Sequence, residues 1–295
     1  MKKYRIAVVG GDRRMLEVVE CLKGYDVRIW GIDPCYIKSG TVCKTVDEAV
    51  TDADVLILPS PPCADDIRVN CPMFTEESGE KISRIFNILK KDCIVLGGRI
   101  SPRVKELATR EGLKVFDYFA SEEVLIKNAV PTAEGAIGVA IYNTDVTVFR
   151  SNIAIIGYGR IGRALALRLT SLGATVTVFD RKDEKIALAM SEGARGVKIE
   201  YKNGQSSLLG IADGYDIVYN TVPLWLITEE IVREIPKKTL VVDLASAPGG
   251  IDIPAVKKYG LNHIQALAIP EKIAPRSAGR IIAGSIIKII GEELS

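Results

Sequence analysis

The sequence predicts an α/β chain of two doubly wound parallel-sheet domains, and three observations carry that expectation. Short apolar runs such as Arg5–Val9, Ile153–Ile156 and Leu240–Leu244 alternate with stretches of helical period along the whole chain. Strand ends are marked by glycine, proline or an acidic residue, as parallel βα units require. The length, 295 residues, is enough for two domains with separate cores.

The second half holds the most informative stretch, Ser151 to Asp180. Ile153–Ile156 is long enough for one buried strand and too short for a helix. It stops at Gly157-Tyr158-Gly159-Arg160-Ile161-Gly162, after which Ile161, Ala164, Leu165, Leu169 and Leu172 recur at helical spacing. A second strand, Thr175–Phe179, ends on Asp180, 23 residues after Gly157. Strand, G-x-G-x-x-G, helix, strand and acid in that order are the Rossmann dinucleotide-binding fingerprint. Gly157 serves the tight turn, Gly159 lets the backbone approach a pyrophosphate, and Gly162 lets the helix pack on the sheet. The helix N-terminus then faces the phosphates, and Asp180 the adenosine ribose.

Composition excludes other classes. The chain is 47% hydrophobic and 26% charged with a net charge of +2, and no basic run suggests nucleic acid. The apolar run behind the basic start, Ile6–Val9, is too short for a signal-peptide core, and Ile281–Ile290 is interrupted by Ser285 and Lys288. A cytoplasmic protein is expected. All six cysteines (Cys21, Cys35, Cys43, Cys63, Cys71, Cys93) fall in the first third without a C-x-x-C, so reduced structural thiols are favoured over a metal site or disulfide. No Walker A loop, G-x-S-x-G elbow or H-E-x-x-H occurs.

In chain order, Arg5–Val9, Val27–Trp30, Ala53–Leu58, Cys93–Leu96 and Leu113–Phe116 read as five strands of a first, flavodoxin-like domain. Gly10-Gly11-Asp12 is a turn with Asp12 as helix N-cap; it lacks the glycine spacing of a second nucleotide loop. The prolines from Pro59 make the segment to about Pro72 an irregular loop, Thr75 to Lys90 reads as a helix, and Ser101-Pro102 starts another. A short helix Ser121–Lys127 and a longer one from Pro131 to Tyr142 lead between domains. After Asp180 come a helix, Glu184–Ser191, and strands Tyr215–Tyr219, Leu240–Leu244 and His263–Leu267. The three strands deliver Asn220-Thr221-Val222-Pro223, Ala245–Gly250 and the loop Ile269–Pro275 to one crevice. An apolar helix, Ser277–Ile290, returns to the first domain. The expected division is 1–127, a first α/β domain for substrate or assembly; 128–275, the Rossmann domain; and 276–295, the returning helix.

A dinucleotide domain beside a second α/β domain most often means hydride transfer. Hydroxyacid dehydrogenases need a general base, but the lone histidine, His263, enters a strand at the end opposite the expected cleft. That disfavours ordinary alcohol oxidation and leaves reactions driven by the substrate, such as aromatisation of a ring. Arg99, Ser101, Thr132, Ser246 and Arg276 are the candidates for an anionic substrate, arginine offering a bidentate fork to a carboxylate. Ser246 and Glu134 are the candidate catalytic groups, with water also open as proton acceptor. Gly157 to Gly162 (Tyr158, Arg160 and Ile161 included), Asp180, Arg181, Thr221, Val222, Pro223 and Ala245 are the candidate cofactor contacts. The cofactor is NAD or NADP: Asp180 repels a 2′-phosphate and tips the choice to NAD, whereas Arg181 would clamp one.

These motifs resemble the family of the dipicolinate synthase A subunit. The resemblance covers nearly the whole chain, through Ile6–Asp12, Pro131–Gly135, Gly157–Gly162, Asn220–Pro223, Asp243–Gly250 and Ile273–Gly279. It implies oxidation of a dihydrodipicolinate-level precursor from the lysine pathway to pyridine-2,6-dicarboxylate during sporulation. It further implies a flavoprotein-like partner, the dipicolinate synthase B subunit. Within that implication Ser246, Arg276 and Arg99 would hold the substrate carboxylates. Family members tend to carry Leu-Pro-Gly where this chain has Ile269-Pro270-Glu271-Lys272. Rival readings are another dehydrogenase of a small amino or hydroxy acid and a non-enzymatic dinucleotide-sensing module. Room is left for a homo-oligomer; no nucleic acid, membrane or metal partner is expected.

Overall fold

The computed structural model describes residues 4–74, 79–202, 205–212 and 214–294. The chain divides into two compact units, one made of residues 1–128 with 270–295 and the other of residues 129–269.

In the first unit the chain runs β1 (Arg5–Val9), α1 (Arg13–Cys21), β2 (Asp26–Trp30), β3 (Thr41–Val42), α2 (Val46–Val50), β4 (Val55–Ile57), α3 (Ile82–Ile88), β5 (Ile94–Gly97), α4 (Pro102–Arg110) and β6 (Lys114–Asp117). All neighbours are parallel, in the order β3-β2-β1-β4-β5-β6. The five strands read from the sequence keep the order 2-1-3-4-5; the edge pair Thr41–Val42, too short for a hydrophobic period to reveal, makes the sheet a six-stranded 3-2-1-4-5-6. Alternation places Ile6 and Val8 in one buried cluster and Ala7 and Val9 in another, so both faces of the sheet are covered. Asp12 caps α1 and Ser101 caps α4, each carboxylate or hydroxyl accepting a first-turn N–H. The expected helix start at Thr75, Glu76 and Glu77 lies outside the described residues, and the helix seen there is Ile82–Ile88.

One helix, α5 (Glu122–Tyr142), replaces the two expected around Pro131. An interior proline costs a helix roughly 3 kcal/mol, yet Ala129, Ala133, Ala136 and Ala140 on its second part are buried in the core of the second unit. That packing outweighs the local propensity.

In the second unit follow β7 (Asn152–Ile156), α6 (Arg160–Ser171), β8 (Thr175–Asp180), α7 (Asp183–Ser191), β9 (Arg195–Lys198), the hairpin β10 (Tyr201–Lys202) and β11 (Gln205–Ser206), β12 (Ile217–Asn220), α8 (Glu229–Glu234), β13 (Leu240–Asp243), α9 (Ile253–Tyr259) and β14 (His263–Gln265). The main sheet is again parallel and six-stranded, β14-β13-β12-β7-β8-β9. Ile153 and Ile155 face one core, Ala154 and Ile156 the other. The strand β9, polar at both ends, did not stand out in the sequence.

Residues expected as a loop after His263 form a short helix, α10 (Ile269–Ile273), and α11 (Pro275–Leu294) closes the chain. Ile282, Ala283, Ile286 and Ile290 of α11 join Met15, Val18 and Leu22 of the first unit in one cluster. Gly279 permits the approach: a Cβ there would lie 2.5 Å from the Arg14 carbonyl oxygen.

Candidate dinucleotide site

The turn between β7 and α6 explains each glycine separately. Gly157 adopts φ +92°, and a Cβ on it would meet Val222 and Thr221 within 2.6 Å. A Cβ on Gly162 would stand 1.9 Å from the Gly157 carbonyl oxygen, so α6 crosses the turn in direct backbone contact. Around Gly159 the situation is opposite: its Cβ position has no heavy atom within 4 Å. Gly159 is the N-cap of α6 and brings no side chain to the first-turn amides. The first turn of the helix thus presents its positive end to open space, as a pyrophosphate requires.

That space opens into a cavity of about 230 Å³ lined by Gly157, Tyr158, Gly159, Asp180, Arg181 and Val222, all anticipated from sequence. Phe179, Lys182, Lys185, Ile199 and Leu226 line it too and were not anticipated. The lysines come from the start of α7, whose place beside the turn depends on the sheet. Asp180 is fixed by two backbone amides: the Tyr158 N–H donates to one carboxylate oxygen at 2.7 Å and the Lys182 N–H to the other at 3.0 Å. It therefore both clamps the glycine turn and keeps lone pairs for ribose hydroxyls. Tyr158 points its own ring inward. Its hydroxyl donates to Glu192 at 2.5 Å, beside Arg163, which hydrogen-bonds the same carboxylate, and together these hold Glu192 below the usual carboxylate range.

Two loops beyond β12 and β13 are held by a buried pair whose contact the sequence motifs did not reveal. Asn220 and Asp243 are adjacent in the parallel register and are 0% and 1% exposed. The Asn220 amide donates to Asp243 at 2.8 Å and to the Val222 carbonyl at 3.1 Å, and the Ala245 N–H donates to Asp243 at 3.0 Å. A polar residue ending an otherwise apolar strand was the available signal. The pair ties Thr221–Pro223 to the Ala245–Gly250 loop, and Gly250 lets Asn220 in, since its Cβ would lie 2.2 Å from the Asn220 amide nitrogen. Thr221 spends its hydroxyl on the Ile156 carbonyl at 2.9 Å and so positions the turn, while Ala245 is buried and Pro223 exposed. Arg160 and Ile161 open α6.

The substrate candidates divide. Ser246 is exposed, on the turn closed by the Gly249 N–H to its carbonyl at 2.9 Å. Arg99, exposed at φ +52° after β5, lies 6.0 Å from the Phe119 ring centroid. Ser101 is committed, donating to Asp66 at 2.6 Å while capping α4. Thr132 is buried within α5. Arg276 belongs to the first unit on α11, where Glu17 of α1 pairs with it at 3.5 Å and with Arg280 at 2.6 Å. Glu134, the other catalytic candidate, faces outward, paired with Arg168 at 3.2 Å. Arg168 lies eight residues along α6 from Arg160, about 12 Å from the glycine turn at helical rise.

His263 starts β14 opposite Val241, and its Nε2 is buried without a partner. Burial pushes its pKa down, against the opposing charge of Asp243. In the first unit, burial pushes the thiols of Cys63, Cys71 and Cys93 up to about 12, which keeps them protonated and unreactive at neutral pH.

Fold and site together define a dehydrogenase-type chain with a nicotinamide-dinucleotide domain. Residues 107–279 match the family model for the alanine dehydrogenase/PNT C-terminal domain, and residues 5–119 that for the N-terminal domain of the dipicolinate synthase A subunit. The dipicolinate synthase A subunit of Bacillus subtilis (strain 168) is 29% identical over 300 residues, covering 98% of this chain and 96% of that protein. The crystal structure of the dipicolinate synthase A chain from Bacillus subtilis superposes with a TM-score of 0.87 at 28% identity, covering 100% of this chain and 98% of that one. The crystal structure of the corresponding A subunit from Bacillus halodurans gives 0.86 at 26%, covering 97% of each. The chain belongs, over residues 107–279, to the alanine dehydrogenase/PNT C-terminal domain family, and over nearly its whole length it is similar to dipicolinate synthase A subunits.

Proposed function

We propose that this chain is the dinucleotide-dependent oxidoreductase subunit that forms dipicolinate from a dihydrodipicolinate-level precursor in the cytoplasm of a sporulating bacterium. The observation that carries the reading is the open space over Gly159, bounded by Asp180, in a chain of this family. A nicotinamide held here would supply the acceptor for one hydride from a ring C–H of the substrate, the accompanying proton going to solvent as the ring becomes aromatic.

The protein's part is binding and orientation. Amides of Gly159 to Ile161 would hold the pyrophosphate and Asp180 the adenosine ribose, and Thr221–Pro223 would frame the nicotinamide from a loop tied down by Asn220 and Asp243. Ser246, exposed on the loop after β13, is assigned to a substrate carboxylate. NAD is the cofactor favoured, because the fixed Asp180 carboxylate repels a 2′-phosphate. Arg181, Lys182 and Lys185 supply the counter-charge on the same rim, so Asp180→Asn should shift preference toward NADP by roughly tenfold.

The relatives are A subunits by name, and a B subunit is expected to complete the enzyme here. The test is an absorbance assay for dipicolinate with purified chain, NAD or NADP, and dihydrodipicolinate, with and without the B subunit. Cofactor-dependent dipicolinate supports the reading. Tight cofactor binding without hydride transfer in either case would overturn it in favour of a sensing module, and rapid turnover of an amino or hydroxy acid in favour of another dehydrogenase.

A further inference from the structure

The middle residue of the Gly157–Gly159 turn has its ring in the protein interior. Tyr158 is 1% exposed and packs in one core cluster with Leu165, Val178 and Ala189. A phenol buried there needs a partner for its hydroxyl. That partner is Glu192, the C-cap of α7, which accepts from it at 2.5 Å. On local grounds an acid is the wrong residue for this position, because the negative end of the helix dipole repels it. Arg163 compensates: its Nε donates to both carboxylate oxygens at 3.0 Å and its Nη2 to one of them. Arg163 closes the first turn of α6, its N–H donating to the Gly159 carbonyl at 2.9 Å. Tyr158 is therefore clamped from both ends of α7, at its N–H by Asp180 just before the helix and at its hydroxyl by Glu192 just after it. A residue that breaks a local rule and is taken up by distant partners marks a tertiary task.

We propose that Glu192 is a positioning residue for the dinucleotide: through Tyr158 and Arg163 it holds the glycine turn and the start of α6 in binding geometry before a ligand arrives. This role, which rests on the dinucleotide reading of the site, is indirect, since Glu192 does not line the cavity. Backbone amides have no rotamers with which to follow a phosphate, so a donor array made of them works only if the turn is already in place. Charge alone would argue the opposite. Glu192 neutralises a cation on the helix that faces the pyrophosphate, so its removal would raise affinity if electrostatics were its only effect. The clamp and the freed Arg163 charge thus predict changes of opposite sign.

Calorimetry with NAD and ligand-observed NMR with adenosine separate the roles, because adenosine keeps the ribose contact and lacks the pyrophosphate. Tyr158→Phe, which removes one oxygen, should weaken NAD binding by roughly fivefold, and Glu192→Ala by roughly tenfold although it frees Arg163. Glu192→Gln should stay within about twofold of the parent, since its amide can accept from Arg163 and donate to the Tyr158 oxygen. The double variant of Tyr158→Phe with Glu192→Ala should lose no more than Glu192→Ala alone. Adenosine affinity should be unchanged throughout. Unchanged or raised NAD affinity in Glu192→Ala would overturn the proposal. So would additive losses in the double variant, or an equal loss for adenosine and NAD, as general loosening of the unit would give. If Tyr158→Phe fails to fold, Glu192→Ala and Glu192→Gln, changed at a side chain 16% exposed, carry the test. A parent chain that binds no dinucleotide would remove the site itself and this role with it, an outcome distinct from variants that match a binding parent.

Discussion

After β1 the chain turns through Gly10 and Gly11 into α1, and after β7 it turns through Gly157 and Gly159 into α6, each at the switch point of a 3-2-1-4-5-6 sheet. At the first turn the space is taken. A Cβ on Gly10 would meet the Asn70 carbonyl oxygen at 2.5 Å, and one on Gly11 would meet Met15 at 2.3 Å. The helix end is taken too: Asp12 accepts from the Arg14 backbone N–H at 2.9 Å and pairs with its guanidinium at 2.6 Å. At the second turn Gly159 faces open space and no side chain caps α6. The same topology thus gives one turn that has supplied its own anion and one that awaits a ligand's. Strand order locates a site; the occupancy of the helix N-terminus decides whether it binds.

The largest effect should come from the occupied turn. Burial raises the Asp12 pKa, but the hydrogen bonds and charge of Arg14 outweigh it and hold Asp12 below the usual range, while burial and the Asp12 charge push Glu271 up. Asp12→Ala leaves Arg14, 8% exposed, facing only Glu271 at 3.4 Å and the Ser60 carbonyl at 3.0 Å. Removing one member of such a buried pair costs about 3 kcal/mol or more, measurable by urea unfolding. The sign with pH follows from the lowered pKa: the Asp12 contribution is complete above its ordinary value of 3.8 and is lost as pH falls through the lower folded value. The variant should lack that acid-side loss.

Next comes the open turn. Gly159→Asp should weaken dinucleotide binding by about 100-fold, ~2.7 kcal/mol, through bulk and charge beside the pyrophosphate, with little change in Tm. Calorimetry and thermal melts together check this; unchanged affinity would remove the site. Gly10→Ala should do the reverse. With φ +71° and no space it costs stability by about 1–3 kcal/mol yet leaves cofactor affinity intact. The smallest effect concerns His263, whose pKa burial lowers from 6.5. Its contribution is complete above that value and declines as pH falls through it toward the folded value, because the unfolded chain then binds the proton first. His263→Gln should flatten the stability profile there by less than about 1 kcal/mol.

How much of this was readable follows from the range of each interaction. Gly157, Gly159, Gly162 and Asp180 were legible because turn, helix start and strand end are local and their spacing is set by the βαβ unit. Ser101 looked like a substrate residue because capping and binding use the same hydroxyl, and only its bond to Asp66 separates the two. The partners of Glu134 and Arg276 were hidden for a related reason. A charged residue beside a loop in sequence reveals nothing about which partner, Arg168 or Glu17, the fold brings to it. The pairing of Asn220 with Asp243, both noted only as motif residues, was hidden because it exists only once β12 and β13 pair in register.

The sequence by itself determined the parallel α/β class, the positions of most strands, the dinucleotide turn and the family, since these rest on periodicity and on short-range glycine and capping chemistry. Tertiary structure alone decided that α5 runs unbroken through Pro131, that Glu271 reaches Arg14, and that one glycine turn is filled while the other is open. Those outcomes depend on which distant residues occupy a given volume. A hydrophobic period can say that a face will be buried, but the atoms that bury it come from elsewhere in the chain.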